Sequence, residues 1–161
     1  MSPDLPQTPD DDNKLTTEIA KPYWQPGWLK QHDRLLAAMS GMRGRIALSM
    51  SGDLHAIGIG NILRSGTLDL SANPVVTVLT GPVGTSPSGW PSSIPKVGPT
   101  PPAHLGINER VKPIEQHGFT LADFSPDGIT LRFFKWDVNT QSPEALDTLE
   151  PFHTAELKRP A

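Results

Sequence analysis

Arg45-Ile46-Ala47-Leu48-Ser49-Met50-Ser51-Gly52-Asp53-Leu54-His55 decides how this chain is read. A mostly apolar run passes directly into Ser-Gly-Asp-Leu-His. The run predicts a buried strand over 45–50. Its abrupt end predicts a loop that carries two potential metal ligands from the strand's carboxyl end. In an open α/β sheet, ligands bind outside that end of the strands. Asp53 and His55 stand two positions apart, so on an extended backbone they point to the same side. One carboxylate oxygen and one imidazole nitrogen can then reach a common metal or a pair of metals. Gly52 lets the chain turn sharply just before them. The competing reading is an ordinary strand-end turn, with Asp53 capping a backbone amide and His55 on the surface.

Working upstream, Trp28, Leu35, Leu36 and Met39 recur at a spacing that predicts an amphipathic helix. It ends near Ser40-Gly41, with Gly41 as the C-terminal cap. Lys21 to Gly27 reads as an irregular aromatic entry segment. Residues 1–20 are polar and carry Asp10-Asp11-Asp12, which predicts a disordered acidic leader.

Working downstream, Ile57 to Leu63 keeps an apolar beat, but Gly58 and Gly60 argue for close backbone approach rather than a regular element. Pro74 to Gly81 is the clearest strand, β-branched and nearly all apolar, which predicts burial on both faces. The stretch 81–112 is rich in proline, glycine and serine and reads as a long irregular loop. Gly118–Phe124 and Ile129–Trp136 flank Ser125-Pro126-Asp127-Gly128, a combination that predicts an antiparallel hairpin. A helical turn near Glu144–Leu149 and a polar tail over 141–161 follow.

Composition narrows the classes. The chain has 161 residues, enough for one domain. It is 36% apolar with 18 prolines, which implies a modest core amid much irregular chain. A net charge of -3 and the lack of a basic stripe argue against a nucleic-acid partner. There is no cysteine, so disulfides, zinc–thiolate sites and a cysteine nucleophile are excluded. No apolar run approaches the roughly 20 residues a membrane helix needs, so no membrane is expected as a partner. The acidic start is unlike a signal peptide, and a cytoplasmic location is the expectation for the chain as it stands.

Other chemical candidates are weaker. His32, His104, His117 and His153 lack the spacing of a ligand set and read as surface or loop residues. Gly84-Thr85-Ser86-Pro87-Ser88 has serine where a nucleophile elbow needs glycine. Neither phosphate-loop nor dinucleotide-binding glycine pattern occurs. Asp123 and Asp127 read as turn formers, and Phe119, Phe133, Phe134 and Trp136 as sheet packing.

Several segments, in order, resemble the C-terminal part of PhoD-like (alkaline phosphatase D family) metallophosphoesterases. They are Gln31-His32-Asp33-Arg34-Leu35-Leu36, the strand into Ser51-Gly52-Asp53-Leu54-His55-Ala56, and Leu70-Ser71-Ala72-Asn73-Pro74-Val75-Val76. Thr80-Gly81-Pro82-Val83-Gly84-Thr85, Gly89-Trp90-Pro91-Ser92 and the 118–136 hairpin complete the set, which runs from about Tyr23 to Trp136. The resemblance implies an α/β fold, namely the mixed-sheet portion of a calcineurin-like β-sandwich with its first sheet missing. It spans residues 21–140. It implies a two-metal site at strand ends that hydrolyses phosphate esters. Iron, calcium, manganese and zinc are all compatible ions.

Within the resemblance, Gly52-Asp53-Leu54-His55 stands where the superfamily usually has Gly-His-x-His. His55 is then a metal ligand, and Asp53 either ligates or orients. The earlier ligand motifs of such enzymes (a separate Asp-x-His, Gly-Asp-x-x-Asp and Gly-Asn-His-Asp/Glu) do not occur ahead of Gly52. A catalytic zinc-type site needs about three protein ligands. Activity is therefore expected only if a missing N-terminal half, or self-association, completes the site. A catalytically inactive remnant or partner-binding module is the alternative.

Overall fold

The structure, a computed structural model, describes residues 8–9, 15–16, 26–52, 55–84, 101 and 104–160. Thr8–Pro9 (β1) and Leu15–Thr16 (β2) pair antiparallel within the stretch read as a leader. The one long helix among the described residues is α1, Pro26–Ser40. Proline is tolerated in its first turn because no intrahelical partner is lost there. The helix closes where Gly41 N–H donates to Ala37 O at 2.9 Å and Met42 N–H to Met39 O at 3.2 Å. The left-handed residue of this exit is Gly44, with φ 62°, rather than Gly41.

Two sheets follow. The first holds β3 (Leu48–Ser51), β4 (Ile57–Ser65), β5 (Leu68–Asp69), β6 (Val75–Thr80) and β7 (Leu105–Ile114). β4 is its centre. One edge of β4 pairs antiparallel with β6 and β5, the other with β7. β3 lies parallel to β6 on the far side, with Leu48 opposite Val76 and Ser51 opposite Leu79. The second sheet is antiparallel, in the order β10 (His153–Lys158), β9 (Gly128–Lys135), β8 (Gly118–Phe124).

Alternation of side chains sets the layers. Ile57, Ile59, Val76 and Val78 leave one face of the first sheet and meet Leu131, Phe133, Ala155 and Leu157 of the second in a buried core. Ile62 and Val75 leave the other face and pack with Leu36 of α1, Ala47 and Leu70. The order of layers is helix, first sheet, second sheet: a mixed α/β fold, mostly sheet. Asp33 accepts a 2.6 Å hydrogen bond from the buried Ser65 hydroxyl, which fixes the helix to the end of β4. No described helix is long and apolar enough to cross a membrane.

Several expectations need correction. The 45–50 run is not a buried strand. The strand starts at Leu48 and sits at a sheet edge, so Ser49, Met50 and Ser51 are exposed. Ile57–Leu63 forms a regular strand after all. Its glycines still mark close approach: a Cβ on Gly58 would lie 3.3 Å from Val111 O and from Pro113 Cα. β7 shifts register at three places along β4, which brings its backbone in over those glycines. The long loop expected over 81–112 contains the start of β7, while 85–100 and 102–103 lie outside the described residues. The expected polar tail contains β10, which places Ala155 and Leu157 in the core. The helical turn near 144–149 is a 3-10 turn at Pro143–Thr148. The 118–136 hairpin forms as read, with Phe119 opposite Phe134 and the two rings stacked 4.8 Å apart.

Candidate functional site at the carboxyl ends of the parallel strands

β3 and β6 run in the same direction, so their carboxyl ends reach one end of the first sheet. The Thr80 hydroxyl donates to Ser51 O at 3.2 Å, and the Ser51 hydroxyl to Val78 O at 3.2 Å, which ties the two strand ends together. Gly52 directly follows β3, and His55 stands two residues before β4 begins at Ile57.

His55 adopts φ 52° and is the positive-φ non-glycine residue among those described. Left-handed backbone costs an L-residue about 1–2 kcal/mol, although histidine tolerates it better than most. His55 is not in extended backbone. Asp53 lies outside the described residues. His55 is half-buried, and next to it Ala56 and Ile57 are buried.

The second sheet reaches this end through glycines. Gly81, just past β6, has φ 92°, and a Cβ there would sit 2.7 Å from Gly118 O and 2.9 Å from Ile57 Cγ1. A Cβ on Gly118 would overlap Phe134 O and lie 2.6 Å from Ile57 Cδ1. Only glycine allows these backbones to meet over Ile57. Gly118 N–H then donates to Pro82 O at 3.0 Å.

Sequence reading missed His117, taken there for a surface or loop residue. It is 2% exposed. Its Nδ1 lies 3.0 Å from Asp137 Oδ1. The backbone N–H of Asn139 and the His117 ring hold the Asp137 carboxyl below its usual range. An ionised carboxylate on Nδ1 favours the tautomer protonated there. The hairpin register held the signal: with Gly118 opposite Lys135, His117 falls opposite Trp136 and beside Asp137. The pair anchors the chain after β9. Asp137 N–H donates to Gln141 Oε1, and Asp137 O accepts from Thr140 and Gln141 N–H.

The other histidines lie elsewhere in the fold. His32 is on α1, beside Asp33 at 3.5 Å. The backbone carbonyl of His104 accepts from Gly66 N–H and Arg64 at the hairpin between β4 and β5. His153 is no loop residue either: it lies on β10 opposite Phe133, its ring 5.7 Å from that phenyl. Burial, then the charge of Arg110, holds the His153 imidazole below its usual 6.5. Asp123 pairs with Arg132 at 2.7 Å instead of shaping the turn, where Ser125 makes the bonds with Gly128.

Among the described residues no three His, Asp or Glu side chains converge as a metal-ligand set. Comparison with family models, with curated proteins and with solved structures found no match.

Proposed function

We propose that this chain is the C-terminal portion of a PhoD-like metal-dependent phosphoesterase, with a calcineurin-like sandwich completed by a missing N-terminal half. The loop 52–55 is its contribution to the metal site, with His55 as a ligand and Asp53 ligating or orienting. One structural observation supports this reading. A parallel strand pair has its carboxyl ends just before Gly52, and His55, shortly before β4, is in a left-handed conformation. Backbone strain of this kind clusters at ligand-binding positions. The ordered resemblance from Tyr23 to Trp136 supplies the chemistry.

The described residues do not make a metal site by themselves, so no catalytic step is assigned to this chain alone. When bound, the ions would polarise a phosphate ester and lower the pKa of a water. A partner-binding module without activity is the second reading, favoured by the exposed apolar side chains of Met50 and Phe124.

Manganese binding to the purified chain, read by the loss of the free-ion electron paramagnetic signal, tests the assignment. A loop with at most two ligands is expected to bind the ion weakly, and His55→Ala to weaken that binding about tenfold or more. Hydrolysis of bis-p-nitrophenyl phosphate with metals supplied is expected to stay at background in both proteins. Metal binding indifferent to His55→Ala would sink the assignment. Turnover that depends on His55 would show a site completed by self-association.

A further inference from the structure

The edges of the first sheet are built differently. β7 carries Glu109, Arg110, Lys112 and Pro113 and shifts register three times against β4. Charges, proline and bulges are among the devices that keep an edge from pairing with another chain. β3, at the opposite edge, has none of them. It reads Leu-Ser-Met-Ser, its register with β6 is unbroken, and its last three residues are exposed. Among the described residues no strand pairs with its outer side.

The second sheet overhangs the same side. Phe124 stands opposite Ile129 and two positions beyond Ala122, both of which pack on the inter-sheet core. It therefore points inward, yet it is 70% exposed. Met50 of β3, on the facing row with Val78, is 39% exposed. Between the sheets a groove of about 310 Å³ opens, with Ile46, Phe124 and Ile129 as its apolar lining. Arg45 and Arg159 also line it, and no carboxylate residue does among those described.

We propose that this open side is a strand-addition site: an extended segment of a second polypeptide, apolar with acidic flanks, pairs with β3 and seats a side chain against Phe124. Main-chain pairing supplies affinity in such complexes, and the pocket for alternate side chains supplies selection. The two arginines set the charge of the occupant. They also disfavour a second copy of this chain, which would bring the same arginines to the same groove. The proposal does not rest on the phosphoesterase reading.

The probe is a fluorescent octapeptide, Glu-Thr-Val-Thr-Val-Thr-Val-Glu, titrated with the full chain and followed by anisotropy. Saturable binding is expected, with added amide protection at Ser49–Ser51. A version flanked by lysine is expected to bind at least tenfold more weakly. Phe124→Ser and Arg45→Glu change exposed side chains, so the fold is kept, and each is expected to weaken binding tenfold or more. Three results would overturn the proposal: no saturable binding, equal binding of the lysine peptide, or binding unmoved by Phe124→Ser. Sedimentation showing self-association that both variants abolish would overturn it too, by making a second copy the occupant.

Discussion

The two faces of β4 come from alternate residues of one strand and live in different surroundings. Ile57 and Ile59 point to the second sheet and are 0% and 2% exposed. Gly58 and Gly60 point the other way, beside Thr77, Leu79 and Glu109, in an open trough of about 100 Å³. α1 covers this outer face only toward Ile62 and Val75. The inner face is closed by a partner sheet whose apolar rows match it, while among the described residues the helix packs on the outer face only toward one end. Stability should therefore be concentrated on the inner face, and tolerance to change on the outer.

The largest test is Phe133→Ala. Phe133 is fully buried, and its loss is expected to cost about 3–5 kcal/mol, read as a fall in the urea midpoint. A cost below about 1 kcal/mol would erase the contrast between the faces. Next come two glycines. Gly118→Ala drives a methyl group into the Phe134 carbonyl and Ile57, and overpacking predicts a loss of about 1–3 kcal/mol. Gly60→Ala meets Ile107 Cγ2 at 3.1 Å, a side chain that can yield, so its cost should stay below about 1 kcal/mol. The reverse order would mean that the outer face is the tighter one. Leu79→Ser, half-buried in the trough, is expected to cost no more than about 1 kcal/mol.

The smallest effect is one of pH, at the margin of the inner face. His153 has its folded pKa held below the usual 6.5, so the unfolded chain binds its proton first as pH falls. Its contribution is present above pH 6.5 and is lost as pH drops below that value toward the folded pKa. His153→Gln is expected to flatten the stability profile in that window. A profile unchanged there would place the titration elsewhere.

The same contrast explains what the sequence disclosed. The helix, β6 and the 118–136 hairpin were legible because periodicity, β-branching and a Pro-Asp-Gly turn are local signals. β3 read as buried because Ile46, Ala47 and Leu48 are apolar, but a sheet edge depends on neighbours that no local pattern specifies. β4 read as irregular because glycine normally weakens a strand, whereas here the bulged β7 backbone passes close to it. β10 was hidden by alternation: Thr154, Glu156 and Lys158 are polar, and only Ala155 and Leu157 mark the buried row. Of the site, the end of β3 just before Gly52 was legible and the left-handed backbone of His55 was not. His117 escaped because its partner becomes adjacent only through the hairpin register.

The contact of Gly81 with Gly118 has a mechanical consequence. The sheets touch backbone to backbone at the start of β8 and stand apart at its end, where Arg159 bridges Gly44 O and Pro126 O. The sandwich is thus a wedge pinned at its narrow end. β8 spans six steps from Gly118 to Phe124, a lever of about 20 Å at roughly 3.3 Å per residue. A tilt of about 5° at the pin then swings Phe124 by about 2 Å over that same length. Small rotations at the glycines are in this way converted into opening at the far rim, and amide protection should fall steadily along β8 from one end to the other.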